Sequence, residues 1–76
     1  MTTAFALITV NPKDEKKVAK KLTDYAEITK LWEVYGEYDI VAKIDINSTD
    51  DLNRLMTEKL RHEEGIMKTT TLLAFE

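Results

Sequence analysis

The residues of this chain best suited to chemistry lie together in Val34-Tyr35-Gly36-Glu37-Tyr38-Asp39-Ile40, where two carboxylates and two tyrosines surround one glycine between apolar runs. A carboxylate held in a loop can accept a hydrogen bond from an ammonium group. Peptide groups beside a glycine lack a shielding side chain, so a small ligand can approach the backbone there and be oriented by polar contacts. The pattern is that of a small-molecule site. Its plainer counterpart is a hairpin turn in which Gly36 supplies a positive φ and Glu37 and Asp39 supply only solubility. Composition alone favours the plainer reading, because turns are commonly polar.

Other reactive side chains are sparse. His62 is the only histidine and neighbours Glu63 and Glu64, but one histidine with carboxylates at a helix end is a weak metal signal, and a contact with the helix dipole accounts for it. Trp32 reads as packing or as an anchor at a subunit contact, and Arg61 as a salt-bridge partner of Glu58 or Glu64. No catalytic residue, metal ligand or cofactor is assigned.

The turn must be positioned by the elements around it. Thr3 to Val10 is rich in β-branched and aromatic residues and reads as a strand, stopped by Asn11-Pro12. Asn11 can cap a helix with Pro12 at its first position and Asp14 in its first turn. Val18, Leu22 and Tyr25 then form one apolar stripe with lysines opposite. A second strand is expected from Ile28 to Tyr35 and a third from Asp39 to Ile46, paired across the Gly36 turn. Ser48 offers the next N-cap, and Leu52, Leu55, Met56 and Leu60 form the face of a second helix that Gly65 ends. Met67 to Phe75 reads as the last strand. The order β-α-β-β-α-β is the ferredoxin-like pattern, an α+β fold with a four-stranded antiparallel sheet and both helices on one face.

Size restricts what this fold can do alone. A chain of 76 residues, 43% hydrophobic and 33% charged, makes one small globular domain. Such a chain buries only about 60% of its unfolded surface, so its core is marginal. It has no cysteine to staple it. Oligomerisation is the remaining usual support, and the pattern points the same way. Strand one carries Phe5, Leu7 and Thr9 on one face and Ala4, Ala6, Ile8 and Val10 on the other, while strand four alternates Leu73 and Phe75 against Leu72 and Ala74. Two helices cover one face only; the other is expected to pack against the same face of a second copy about a twofold axis.

No apolar run approaches the ~20 residues of a membrane span, and Met1-Thr2-Thr3 lacks the basic start of a signal peptide, so the expected compartment is the cytosol. Net charge is −3. Lys13, Lys16, Lys17, Lys20 and Lys21 interleave with Asp14, Glu15 and Asp24 at helical spacing, which is a solvated face rather than a nucleic-acid patch. No DNA- or RNA-recognition signature is present.

The segment Gly36-Glu37-Tyr38-Asp39-Ile40-Val41-Ala42-Lys43, with Gly65-Ile66 and the strand Thr69-Thr70-Thr71, resembles the RAM domain, the effector-binding half of the Lrp/AsnC (feast/famine) transcriptional regulators. The resemblance covers the whole chain in element order, with the Gly-x-Tyr-Asp turn as its most specific marker. Full-length members also carry an N-terminal helix-turn-helix domain, whereas this chain starts at the first RAM strand. The expectation is therefore a stand-alone RAM domain over residues 1–76, without direct nucleic-acid or membrane contact.

The resemblance implies dimers joined through their sheets, assembled into octamers or similar rings, with an amino acid bound between dimers. It also implies a full-length Lrp/AsnC regulator as partner. The ligand residues it implies are Gly36, Glu37, Tyr38 and Asp39, with Val34 and Tyr35 leading into the turn and Thr69, Thr71 and Leu72 reached from the adjacent dimer. A rival within the same topology is a small dimeric enzyme, a cofactor-independent monooxygenase or haem-degrading type, using Trp32, His62 and asparagines among Asn11, Asn47 and Asn53. The ACT domain is a second rival, but its glycine loop follows the first strand, where this chain has Asn11-Pro12-Lys13-Asp14.

Overall fold

β1, Thr2–Val10, is an interior strand, and its strict alternation decides which residues form the core. Ala4, Ala6, Ile8 and Val10 are buried, while Phe5, Leu7 and Thr9 between them are only half-buried. The computed structural model describes residues 1–75. After β1 come a 3₁₀ turn at Pro12–Asp14, α1 at Glu15–Leu22, β2 at Ile28–Glu33, β3 at Ile40–Ile46 and α2 at Thr49–Arg54. A π-helical turn at Leu55–Lys59, a 3₁₀ turn at Leu60–His62 and β4 at Ile66–Leu73 complete the chain. The sheet order is β2-β3-β1-β4 and every pairing is antiparallel.

Register carries the alternation of β1 into its neighbours. Ala4, Ala6 and Ile8 pair with Ile44, Ala42 and Ile40 of β3, so all six point to the same side. That side is the core, shared with Val18, Ala19 and Leu22 of α1 and with Leu52, Leu55, Met56 and Leu60 of the second helical segment. Alanines at the middle of the sheet leave space for the larger helix side chains. Full burial of a residue such as Ile8 or Leu60 contributes about 1.5–3 kcal/mol each. The sequence-derived topology and helix faces therefore stand.

The ends of the elements differ from expectation. Asn11 caps as expected, its Oδ1 accepting from Lys13 N at 3.1 Å, but the first turn after it is 3₁₀ and α1 begins only at Glu15. Ser48 Oγ accepts from Asp51 N at 3.1 Å and caps α2. The second helix is not one regular helix: it widens into the π turn, where Thr57 Oγ1 donates back to the Asn53 carbonyl at 2.7 Å, a bond that competes with helical geometry. Gly65 ends it with φ +97°, and its carbonyl accepts from Asn11 N at 2.9 Å. Arg61 is not paired with Glu64, which lies 3.5 Å from Lys17 instead. Tyr25 is half-buried against the core, and its hydroxyl donates to Glu63 Oε2. Burial, reinforced by the Glu63 carboxylate, pushes the Tyr25 hydroxyl pKa up, so the phenol stays a donor.

The sheet face opposite the helices carries Phe5 and Leu7 of β1, Trp32 of β2, Val41 of β3 and Leu72 of β4. Trp32 is 41% exposed and Leu72 52%, with the Lys30 ammonium 5.8 Å from the Trp32 ring centroid. At one end of this face Asp45 accepts from Thr29 Oγ1 at 2.6 Å and Thr3 Oγ1 at 2.7 Å. Those two hydroxyls, Thr29 first, hold its carboxyl below the usual carboxylate range. In β4, Leu73 faces the core side opposite Ala4, and Leu72 the open side opposite Phe5. The strand stops at Leu73, so Ala74 and Phe75 lie beyond it.

Candidate functional site

The connection between β2 and β3 is longer than the tight hairpin expected from Gly36. β2 ends at Glu33 rather than Tyr35 and β3 begins at Ile40 rather than Asp39. Val34 to Asp39 form a six-residue loop, closed by Val34 N donating to the Asp39 carbonyl at 2.9 Å. Two aromatic and two acidic side chains in so short a stretch favour a looped-out tip over continued pairing, because strand positions there would force polar groups onto the core face.

Asp39 anchors this loop. Its backbone N–H donates to the Ile8 carbonyl at 2.9 Å, and its Oδ2 accepts from Val10 N at 2.9 Å. The half-buried carboxylate thus stitches the loop to the end of β1. The tip is open: Gly36 has φ +122°, and a Cβ built there meets nothing within 4 Å. Tyr35 and Glu37 are exposed, while Val34 and Tyr38 are half-buried. Main-chain groups at Gly36 are accessible, with the Asp39 carboxylate at the base of the same loop.

The residues expected from β4 divide between the two sheet faces. Thr69 pairs with Ile8, whose carbonyl receives the Asp39 N–H, so Thr69 and Asp39 flank the same end of β1. They are two strand spacings apart, about 10 Å. Thr71, opposite Ala6, lies on the face of Thr69 but further along the strand, while Leu72 lies on the other face. Within one chain the loop and the β4 threonines do not come together. Thr69 instead borders a groove of about 280 Å³ with Arg61, Ile66, Met67 and Lys68.

Val34 and Tyr35 border a larger groove of about 620 Å³ together with Pro12, Lys13, Lys16 and Glu33. Nothing in the sequence places Pro12, Lys13 and Lys16 beside the loop. The β1–β3 pairing up to Ile8–Ile40 and the Asp39–Val10 bond join the loop to the end of β1, a long-range contact that no local motif records. The residues required by an enzyme reading do not converge. Trp32 lies on the open sheet face, Asn11 is used as a cap, and His62 is exposed at the end of the helical segment. Among the described residues no three His, Cys, Asp or Glu side chains come together as a metal site. Among the described residues no helix is long and apolar enough to cross a membrane. The arrangement presents unshielded main-chain groups at Gly36 beside the fixed Asp39 carboxylate.

Comparison with known proteins identifies the family of the domain. The family described as the Lrp/AsnC ligand binding domain matches residues 3–76. HTH-type transcriptional regulator FL11 of Pyrococcus furiosus is 34% identical over 73 residues, covering 96% of this chain and 48% of the regulator. The crystal structure of FFRP-DM1 is similar with a TM-score of 0.95 at 36% identity, covering 99% of this chain and 100% of the other. AsnC of E. coli follows with a TM-score of 0.93 at 26% identity, covering 99% of this chain and 51% of AsnC. The chain spans about half the length of the curated relatives it matches.

Proposed function

The chain belongs to the Lrp/AsnC ligand-binding domain family of transcriptional regulators, and from that premise we propose that it is an amino-acid-binding regulatory module whose effector sits at the Gly36–Asp39 loop. The observation that carries this reading is the loop itself: an unshielded glycine backbone with a carboxylate fixed at its base by the Val10 N–H. A zwitterionic amino acid needs an anionic partner for its ammonium and donors for its carboxylate. Asp39 is the first, using its remaining acceptor capacity. Main-chain N–H groups near Gly36 and the hydroxyls of Thr69 and Thr71 are the second. Because loop and threonines are separated in one chain, the pocket is completed by a neighbouring copy, and ligand binding becomes coupled to assembly.

The assembly begins with a dimer through the open sheet face. Phe5, Leu7, Trp32, Val41 and Leu72 form its apolar centre, and a contiguous apolar surface of that kind on a small chain is best buried by a second copy. Dimers then form octamers or a similar ring. The lysines of α1 are interleaved with acids and net charge is −3, so regulation runs through a full-length partner rather than through DNA contact by this chain.

A thermal-shift screen of the twenty amino acids tests the ligand reading. At a ligand concentration ten times Kd the native state gains about 1.4 kcal/mol, a rise of roughly 5–10 °C for a domain of this size. No response at millimolar concentrations removes the amino-acid assignment. Sedimentation across a dilution series tests the assembly. A particle of at least two chains is expected at micromolar concentration, whereas a stable monomer of 8.8 kDa eliminates the sheet interface.

A further inference from the structure

The open sheet face differs in charge from the rest of the molecule. Besides its apolar centre it carries Lys43 opposite Phe5, Asp45 opposite Thr3, Lys30 opposite Lys43 and Lys68 opposite Thr9. Three lysines against one aspartate leave this face at +2, on a chain whose net charge is −3.

Lys43 is the member that cannot avoid an interface. It stands on an interior strand between Lys30 and Phe5, so a sheet that covers Phe5 covers Lys43 as well. Its ammonium lies 4.0 Å from Asp45 Oδ2, at the outer limit of an ion pair. Both Asp45 oxygens already accept from hydroxyls, Oδ1 from Thr3 and Oδ2 from Thr29. Lys30 lies over the Trp32 ring, a contact that leaves its charge in place. Among the described residues neither Lys30 nor Lys68 has a carboxylate within 4.0 Å.

Face-packed sheets stand about 10 Å apart, no more than the Debye length of about 10 Å at 0.1 M salt. Two copies of this chain therefore set one positive face against another, whichever way the twofold axis runs. The apolar centre favours the self-dimer and the charge opposes it. A sheet with the same apolar pattern but acidic residues opposite the lysines keeps the first effect and reverses the second.

We propose that the open sheet face favours a related chain with an acidic sheet face over a second copy of itself, and that Lys43, with Lys30 and Lys68, makes the selection. This rests on the sheet-dimer reading above and adds the chemistry of the preferred partner: a domain of this fold, negative where this one is positive.

Sedimentation equilibrium of the wild type and of Lys30→Gln/Lys43→Gln/Lys68→Gln, in low salt and at about 0.5 M, gives the sign of the effect. The wild-type dimer should tighten as salt rises, and the glutamine variant should be tighter than wild type by roughly three- to tenfold in low salt. The acidic partner is represented by Lys30→Glu/Lys43→Glu/Lys68→Glu, which keeps the apolar centre. Mixed with wild type, it should form a dimer at least about tenfold tighter than the wild-type self-dimer, resolved by ion exchange as a species of intermediate charge. None of the three lysines is buried, so the fold should persist. Lys43→Gln and Lys43→Glu alone serve if a triple variant does not fold. A wild-type dimer that loosens with salt, or that neutralisation weakens, means that the lysines pair with a second copy; that overturns the proposal and leaves the sheet dimer intact. A single-stranded oligonucleotide that binds the wild type and dissociates its dimer gives the face to a polyanion and overturns the proposal too. A wild type that stays monomeric in both salts overturns this proposal and the sheet dimer together.

Discussion

Gly65→Ala is expected to lower unfolding stability by about 2–4 kcal/mol, the largest loss for the smallest substitution in the chain. The backbone at Gly65 has φ +97°, which an L side chain rarely adopts. The space is also taken. A Cβ there would stand 2.8 Å from Asp14 Cβ and 2.9 Å from Val18 Cγ2, both on the first helical segment rather than on a flexible tip. The chain cannot move away cheaply, because the Gly65 carbonyl is bonded to Asn11 N and the Tyr25–Glu63 contact holds the same turn. Total stability for a domain of this length is on the order of 4–11 kcal/mol, so the variant loses a large part of it. Gly36→Ala is the control, with a comparable positive φ but nothing within 4 Å of the added carbon. It should cost only the backbone term, about 1–2 kcal/mol. Urea unfolding of both variants at one protein concentration decides the point: equal losses would mean that the close approach to α1 contributes nothing.

That contrast also marks how far the sequence can be read. The core was legible because Ala4, Ala6, Ile8 and Val10 alternate and Val18, Leu22, Leu52 and Leu60 recur at helical spacing, and burial follows these periods directly. Caps at Asn11 and Ser48 were legible because the capping bond is local. For the loop, the sequence marks chemistry-bearing residues but not their geometry. Gly36 signals a tight turn, whereas β2 stops at Glu33 and β3 starts at Ile40, with Asp39 tied to Val10 N by a bond that no local pattern records. The π turn at Leu55–Lys59 leaves the apolar face intact and so has no signature in the pattern. Thr69, Thr71 and Leu72 looked like one group in sequence, yet the period of two places Leu72 on the opposite face. Lys13 and Lys16 were read as solvated because their own helix gives no hint of the strand end they approach.

Asp39→Asn is expected to weaken amino-acid binding ten- to a hundredfold, a loss of roughly 1.5–3 kcal/mol for one charge-assisted hydrogen bond. The residue has two duties, and the substitution separates them. Toward the protein it accepts a hydrogen bond from Val10 N at 2.9 Å, and the amide oxygen of asparagine can do the same, so stability should change little. Toward the ligand it supplies a negative charge, which asparagine lacks. Asp39→Ala removes both functions and should in addition lose about 1 kcal/mol of stability, because the N–H of the buried Val10 is left without its acceptor. Calorimetry with the best amino acid from the screen, alongside urea unfolding, resolves the two. If Asp39→Asn binds as tightly as wild type while Asp39→Ala is destabilised, the carboxylate only ties the loop to β1, and the ammonium must be met elsewhere. Loss of affinity in Asp39→Asn at unchanged stability and assembly would instead require its charge at the ligand, since no other interaction has been altered.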